Sequence, residues 1–248
     1  MKVVVLGDSI SEGIGSKKVN YIPFCEEILG EEYFFINMAK TGSTINYPCD
    51  HLSEIINEKP DICVIMYGNV DAQIRANKFK IEHRLPRRYR GGGMLDPRAF
   101  YSSKWYKRIM HYIDNAVRFV LKKWVIFRQG TIQFVDIDTF GERYEYLITN
   151  LLNNESIPLL VSTVYLDDSY FLGSSHEYEK YNQSIKNLSV KYCCQYVDLF
   201  EDQKNCVKIE GWNSLYSHDH FHPNQNGYEF IAKKISNAIK EMTSCSEK

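Results

Sequence analysis

Three short stretches of this 248-residue chain hold side chains suited to acyl chemistry. Gly7-Asp8-Ser9 follows the apolar run Lys2–Leu6 (KVVVL) and leads into Ile10-Ser11-Glu12-Gly13. A serine that enters a turn and helix straight after a buried strand sits where a ligand reaches it, and its own N–H can stabilise a developing oxyanion. The alternative is a plain helix N-cap. Near the C-terminus comes Asp219-His220-Phe221-His222-Pro223. An aspartate three residues before a histidine can fold back onto Nδ1–H, which leaves Nε2 to take a serine proton. His218 and His220 compete with His222 for that role. Three histidines with a nearby aspartate also raise zinc, but alternation at 218, 220 and 222 is not a usual zinc spacing, and no metal or other cofactor is expected. The third stretch is Asn37-Met38-Ala39-Lys40-Thr41-Gly42-Ser43-Thr44, where Gly42 can turn a backbone N–H towards a reacting centre. An ordinary glycine turn explains it equally well.

These groups need a scaffold to bring them together. Five apolar runs predict strands: KVVVL, Tyr33–Asn37, Asp61–Tyr67, Ile157–Tyr165 and Gln195–Phe200. Continuous runs of this kind suit parallel strands buried on both faces. Helices are predicted around Tyr21–Leu29, over Leu52–Asn57 (closed by Lys59-Pro60), over Ser102–Trp124 and over Glu177–Tyr192. A capping box, Thr139-x-x-Glu142, opens another helix to Leu152, and Gln225–Met242 places Tyr228, Ile231, Ile235 and Ile239 on one face. Strands alternating with helices imply a parallel sheet with right-handed crossovers, and ligands meet such sheets at the carboxyl ends of the strands. One α/β domain is expected, with residues 76–155 as an insertion. The first part of that insertion is irregular and basic: Arg84, Arg87, Arg88, Arg90, Gly91-Gly92-Gly93 and Arg98. Arginines there either grip an anionic substrate or form a solvated loop paired with acidic neighbours or a second subunit.

Hydrophobic residues make up 44% and charged residues 25%, as in an ordinary globular chain. A formal net charge of −1 favours neither nucleic acid nor an acidic membrane as a partner of the whole molecule, local patches aside. No apolar run reaches the roughly 20 residues of a membrane span, and no secretion signal opens the chain. The seven cysteines, at 25, 49, 63, 193, 194, 206 and 245, show no CxxC or Cys/His spacing. Free thiols in a reducing compartment, and so a cytoplasmic protein, are expected. Self-association stays open.

Taken in order, these segments resemble the SGNH (GDSL-like) serine hydrolases over essentially the whole chain. Gly7-Asp8-Ser9 matches the family's first block. The turn from Asn37 to Gly42 and Thr44 matches the second, and Asp219-x-x-His222-Pro223 the fifth. Tyr181, Asn182, Ile185 and Tyr196–Leu199 also match its late helix and strand. The resemblance implies a three-layer α/β/α, flavodoxin-like fold with a five-stranded parallel sheet. It implies Ser9 as nucleophile, His222 as base, Asp219 as orienter, and the N–H groups of Ser9 and Gly42 as oxyanion donors.

One block departs. Gly68-Asn69-Val70-Asp71 has valine where the family carries an oxyanion-binding asparagine, and losing a donor can cost about 10²–10³ in rate. Asn69, shifted into place, or Arg75 could supply the missing donor. Asp8, Asp71, Arg75, Arg87 and Arg88 complete the candidate substrate-binding set. The pattern Gly-x-Val-Asp-Ala-x-x-Arg (68–75) resembles a subgroup associated with bacterial surface-polysaccharide gene clusters. The implied activity is hydrolysis of a small acyl ester, O-acetyl above all, on a carbohydrate or surface-polysaccharide precursor. Acyl transfer to a sugar hydroxyl, or a degenerate domain that binds glycan or protein, are the alternatives.

Overall fold

Strand and helix alternate along the chain as the apolar pattern requires. The structure, a computed structural model, describes residues 1–13, 19–91, 95–99 and 101–244; Gly92 and Gly93 of the glycine run, and Cys245 in the tail, lie outside the described residues. β1 (Lys2–Gly7) is followed by a single turn, α1 (Ser9–Glu12), and by α2 (Ile22–Leu29). β2 (Phe34–Asn37) leads through α3 (Asn46–Asp50) and α4 (Leu52–Asn57) to β3 (Ile62–Met66). Then come β4 (Arg75–Ala76), the long α5 (Trp105–Gln129), β5 (Thr131–Ile132), α6 (Ile137–Asn153) and β6 (Ile157–Val161). α7 (Asp168–Phe171), α8 (Ser174–Lys191), β7 (Gln195–Val197), α9 (Leu199–Glu210) and α10 (Gln225–Ser244) follow.

Five strands form one parallel sheet in the order β2-β1-β3-β6-β7. In register, Val4 lies between Ile36 and Cys63. β3 sits at the centre and every one of its residues is buried, which is why its sequence is apolar without alternation. α2 packs with α10 in one helical layer, and α3, α6 and α8 form the other. The expected three-layer α/β/α architecture is present.

The insertion is shorter than 76–155. Phe140, Tyr144, Leu147, Ile148 and Leu151 of α6 belong to the main core, so that helix is part of the sheet's covering layer. The excursion leaves and returns through the antiparallel ribbon of β4 and β5, with Arg75 opposite Ile132. Between them, Ala76, Ile81, Leu85, Tyr89, Leu95 and Val125 form a small separate core.

Other boundaries shift for local reasons. The run Gln195–Phe200 stops being strand at Val197, because Asp198 caps α9, its side chain accepting from the Glu201 N–H. β6 ends at Val161 rather than Tyr165, because side chains replace the ladder beyond it. The N–H groups of Thr163, Val164 and Tyr165 donate to Asn182 Oδ1, Asn69 Oδ1 and Gln203 Oε1. α6 is capped by Asp136, which accepts from the Thr139 N–H at 2.9 Å, so Thr139 lies inside the helix. α5 starts at Trp105 and ends at Gly130, whose φ of 73° stops it. α3 was not foreseen.

Two arginines of the basic segment, Arg88 and Arg98, converge on an internal carboxylate. Asp114, on the inward side of α5, accepts from Arg98 Nε at 2.7 Å, Arg118 Nε at 2.8 Å and the Tyr89 hydroxyl at 2.8 Å. Arg88 approaches it at 3.6 Å. Burial pushes the Asp114 carboxyl up, but the bonds from Arg118, Arg98 and Tyr89 outweigh it and hold the group well below its ordinary range. Removing one partner of such a buried pair strands the other's charge. Asp114→Ala is therefore expected to destabilise the insertion by about 3 kcal/mol. Hydrogen exchange should show protection lost over residues 75–132 and kept in β1 and β3; unchanged protection in the insertion would contradict this.

Candidate active site

The chain leaves β1 towards β2 on one side of the sheet and β3 towards β6 on the other. The loops after β1 and β3 therefore part at their carboxyl ends and leave a crevice there. Asp8 turns the chain out of β1 by capping α1: its Oδ1 accepts from the Ile10 N–H at 2.9 Å. Asp8 is fully buried, and burial raises its carboxyl to about 6 against the pull of the Ile10 N–H, the Asn69 amide and His222. Ser9 follows, 7% exposed.

Ser9 Oγ lies 3.1 Å from His222 Nε2. His222 Nδ1 lies 2.6 Å from Asp219 Oδ2. Asp219 Oδ1 also accepts the N–H groups of Phe221 and His222, at 3.2 and 3.0 Å, so the aspartate does fold back over the three-residue spacing. Burial alone would lower the His222 pKa, but the charge and hydrogen bond of Asp219 overcome it and raise the pKa above its ordinary value. A hydroxyl, an imidazole and a carboxylate in this order can move a proton off the hydroxyl.

The loop that carries this pair is fixed from several sides. The Ser217 N–H donates to the His222 carbonyl at 2.8 Å, and Tyr216 bridges to Pro223. His220, at φ 53°, places Nδ1 2.7 Å from Asp167 Oδ2 and stacks parallel on Trp212 at 4.9 Å. His218 meets Tyr101 edge-on at 4.9 Å. Of the three competing histidines, His222 is the one brought to Ser9.

The turn after β2 is bolted to the end of β1. The Lys40 N–H and the Ser43 hydroxyl both donate to the Gly7 carbonyl, at 3.0 and 3.2 Å, and Asn37 Nδ2 donates to the Ser11 carbonyl at 3.0 Å. Gly42 takes φ 74° in this turn. Among the described residues no acceptor takes the N–H of Ser9 or of Gly42.

After β3 the residues do something other than the sequence suggests. Asp71 is fully buried; its Oδ1 accepts from the Ile45 N–H at 2.8 Å and its Oδ2 from the Gly68 N–H at 3.0 Å. Burial raises its carboxyl to about 7. Asp8 and Asp71 are thus internal braces, not substrate contacts. Asn69 is fully buried too, with Oδ1 on the Val164 N–H at 2.9 Å. Its amide is near enough to Asp8 to lower that carboxyl's pKa, although neither Asn69 Nδ2 nor Asp8 Oδ2 makes a well-formed hydrogen bond. Asn69 is thus anchored inward through its Oδ1. Gly68, at φ 117°, tolerates no side chain, since a Cβ would meet Thr163 Cγ2 at 2.8 Å.

Arg75 is committed elsewhere. Its Nη1 donates to the Val70 carbonyl at 2.6 Å, its Nη2 donates to Gln73 Oε1, and its Nε lies 3.8 Å from Asp96 Oδ2. It braces the loop after β3 against the insertion and does not fill the gap left by Val70. Arg87 and Arg88 sit on the exposed side of the insertion, Arg88 over the Tyr89 ring. Asp96 escaped the sequence reading: it binds Lys122 at 2.8 Å and its charge helps raise His222. It lies in an irregular segment with no periodicity to mark it. Among the described residues no group of three or more His, Cys, Asp or Glu side chains is placed to hold a metal ion.

No curated protein sequence matches the chain. Among solved structures, a variant of an acetyl xylan esterase from Geobacillus stearothermophilus superposes with a TM-score of 0.65 at 14% identity, over 96% of this chain and 94% of that one. A lipase/acylhydrolase from Enterococcus faecalis superposes with a TM-score of 0.64 at 18% identity, over 98% of this chain and 97% of that one. At these identities the likeness is one of fold. The model of the GDSL-like Lipase/Acylhydrolase family, however, matches residues 5–230, from β1 into α10. The chain belongs to that family, the SGNH-type serine hydrolases that its motifs resemble.

Proposed function

We propose that the protein hydrolyses a small acyl ester, acetyl above all, carried on a carbohydrate, with Ser9 as nucleophile. The carrying observation is the line from Ser9 Oγ through His222 Nε2, at 3.1 Å, to Asp219 Oδ2, 2.6 Å from Nδ1. His222 takes the Ser9 proton as Oγ attacks the acyl carbon. The N–H groups of Ser9 and Gly42 receive the negative oxygen. The imidazolium, held by Asp219, then protonates the departing alcohol. A water that gives its proton to His222 attacks the acyl-Ser9 carbonyl, the acid leaves, and Ser9 recovers its proton. Acetyl and carbohydrate are suggested by the acetyl xylan esterase of like fold. The six described cysteines are free thiols, which suits a cytoplasmic enzyme.

Ser9→Ala is expected to lower turnover of p-nitrophenyl acetate by about 10⁴–10⁶-fold and to abolish labelling by a fluorophosphonate. Labelling that persists in the variant would place the nucleophile elsewhere. A panel of acetylated sugars and longer-chain esters tests the acyl preference in the same assay.

The pH dependence follows from the state of His222, which must be neutral to accept a proton. With its pKa raised above 6.5, activity grows as pH rises through that higher value and is lost as pH falls below it. Asp219→Asn removes the charge that raises it. The acid limb should move to lower pH while kcat falls by about 10³–10⁴-fold. Profiles of kcat/KM against pH for both proteins check this; an unmoved limb would break the link between Asp219 and His222.

A further inference from the structure

α5 departs from the usual surface helix, whose apolar residues gather on its buried side. Inward, Val117, Leu121 and Val125 pack on the insertion's small core beside Asp114 and Lys122, which are 7% and 3% exposed and both in ion pairs. Its outward side carries Trp105, Met110, Ile113, Val120 and Phe127, between 59% and 86% exposed. At 25 residues the helix is about 37 Å long, so this apolar face is an extended strip. Tryptophans stand near both ends, Trp105 and Trp124, each with an exposed ring.

The charges beside the strip have one sign. Lys104, Lys107, Arg108, Lys123 and Arg128 are exposed, and the helix's one acidic residue, Asp114, is buried and paired. This decides between occupants. A second copy laid along the strip, parallel or antiparallel, would bring its own Lys104, Lys107, Arg108, Lys123 and Arg128 to the same five cations, with no exposed carboxylate on either helix to answer them. Both orientations set like charges together. A negatively charged lipid surface neutralises all of them and accepts the apolar strip with its terminal tryptophans.

We infer that the outward face of α5 docks the protein on an anionic lipid surface, with the helix lying in the plane of the headgroups. No helix of the described residues is long and apolar enough to cross a membrane, so the contact is one of lying on the surface. The whole-chain charge of −1 does not oppose it, because screening over about 8 Å lets the surface sense only the nearby patch. Docking also brings the candidate active site close. The Tyr112 ring of α5 meets Tyr101 at 4.6 Å, tilted by 30°, and Tyr101 abuts His218, the neighbour of Asp219.

The test uses the full chain and phosphatidylcholine vesicles with and without phosphatidylserine, read by flotation and by tryptophan fluorescence. The wild type should float with the phosphatidylserine vesicles. Binding should be at least about tenfold weaker to phosphatidylcholine alone, and likewise for the double variant Ile113→Glu, Val120→Glu. Both positions are exposed, and the variant should keep the wild-type circular dichroism spectrum and melting temperature, which shows that it folds. Absent binding, equal binding to both vesicles, or binding kept by the double variant would each overturn the inference. So would a lipid-free dimer, seen by analytical ultracentrifugation, that the same substitutions dissolve; that result would assign the face to a second copy. The binding readout does not depend on Ser9, so it stands or falls apart from the esterase reading.

Discussion

The carboxylate of Asp71 holds together the end of the sheet where the crevice lies. It has no contact with solvent, and it spends both oxygens on main-chain N–H groups, those of Ile45 and Gly68. Those two donors belong to the loops after β2 and after β3, which have no ladder to satisfy them once the strands stop. The same device repeats outward along the sheet. Asn69 serves the Val164 N–H, Asn182 the Thr163 N–H and Gln203 the Tyr165 N–H. Buried side-chain acceptors therefore continue the sheet's hydrogen bonding past its strands, and the crevice residues rest on that lattice. Asp71 stands near the limit of what burial allows, for desolvation lifts its carboxyl to about 7 even with two N–H donors on it. Losing either donor would tip it further towards the neutral form and weaken its hold on the other loop.

The site was legible where chemistry depends on short spacing. Asp219 and His222 meet because three residues suffice for a carboxylate to turn back on an imidazole, and the sequence carries that spacing openly. Ser9 could be placed because a buried parallel strand ends just before it. The sheet was legible because β1, β3 and β6 are apolar without alternation, a pattern only strands covered on both faces require. The same spacing picked out His222 among three histidines, but what holds His220 away from Ser9 was not legible. That depends on Asp167, 53 residues earlier, and on the stacked ring of Trp212.

Much of what was misread concerns polar residues near the crevice. Asp8, Asn69, Asp71 and Arg75 are of types that also bind substrates, and sequence alone cannot say which way a side chain turns at a strand end. In the fold three of the four are fully buried, and Arg75 is engaged by Val70, Gln73 and Asp96. Boundaries failed for a related reason. A capping aspartate, as at 136 or 198, ends one element and begins another inside a run whose composition barely changes.

Val70 makes the oxyanion question a matter of rigidity. Two main-chain N–H groups, those of Ser9 and Gly42, have no acceptor among the described residues, and they lie on segments tied to each other. Lys40 and Ser43 both donate to Gly7, Asn37 donates to Ser11, and Asp8 fixes the start of α1. Donors aimed before the charge develops need no reorganisation, and that is where such sites draw their effect. A side-chain amide in the third position would add strength, but it would also need its own support. Here the neighbouring side chain, Asn69, is anchored inward through Oδ1, which accepts from the Val164 N–H, while its Nδ2 makes no well-formed hydrogen bond. Arg75, donating to the Val70 carbonyl, holds the loop after β3 from the insertion side.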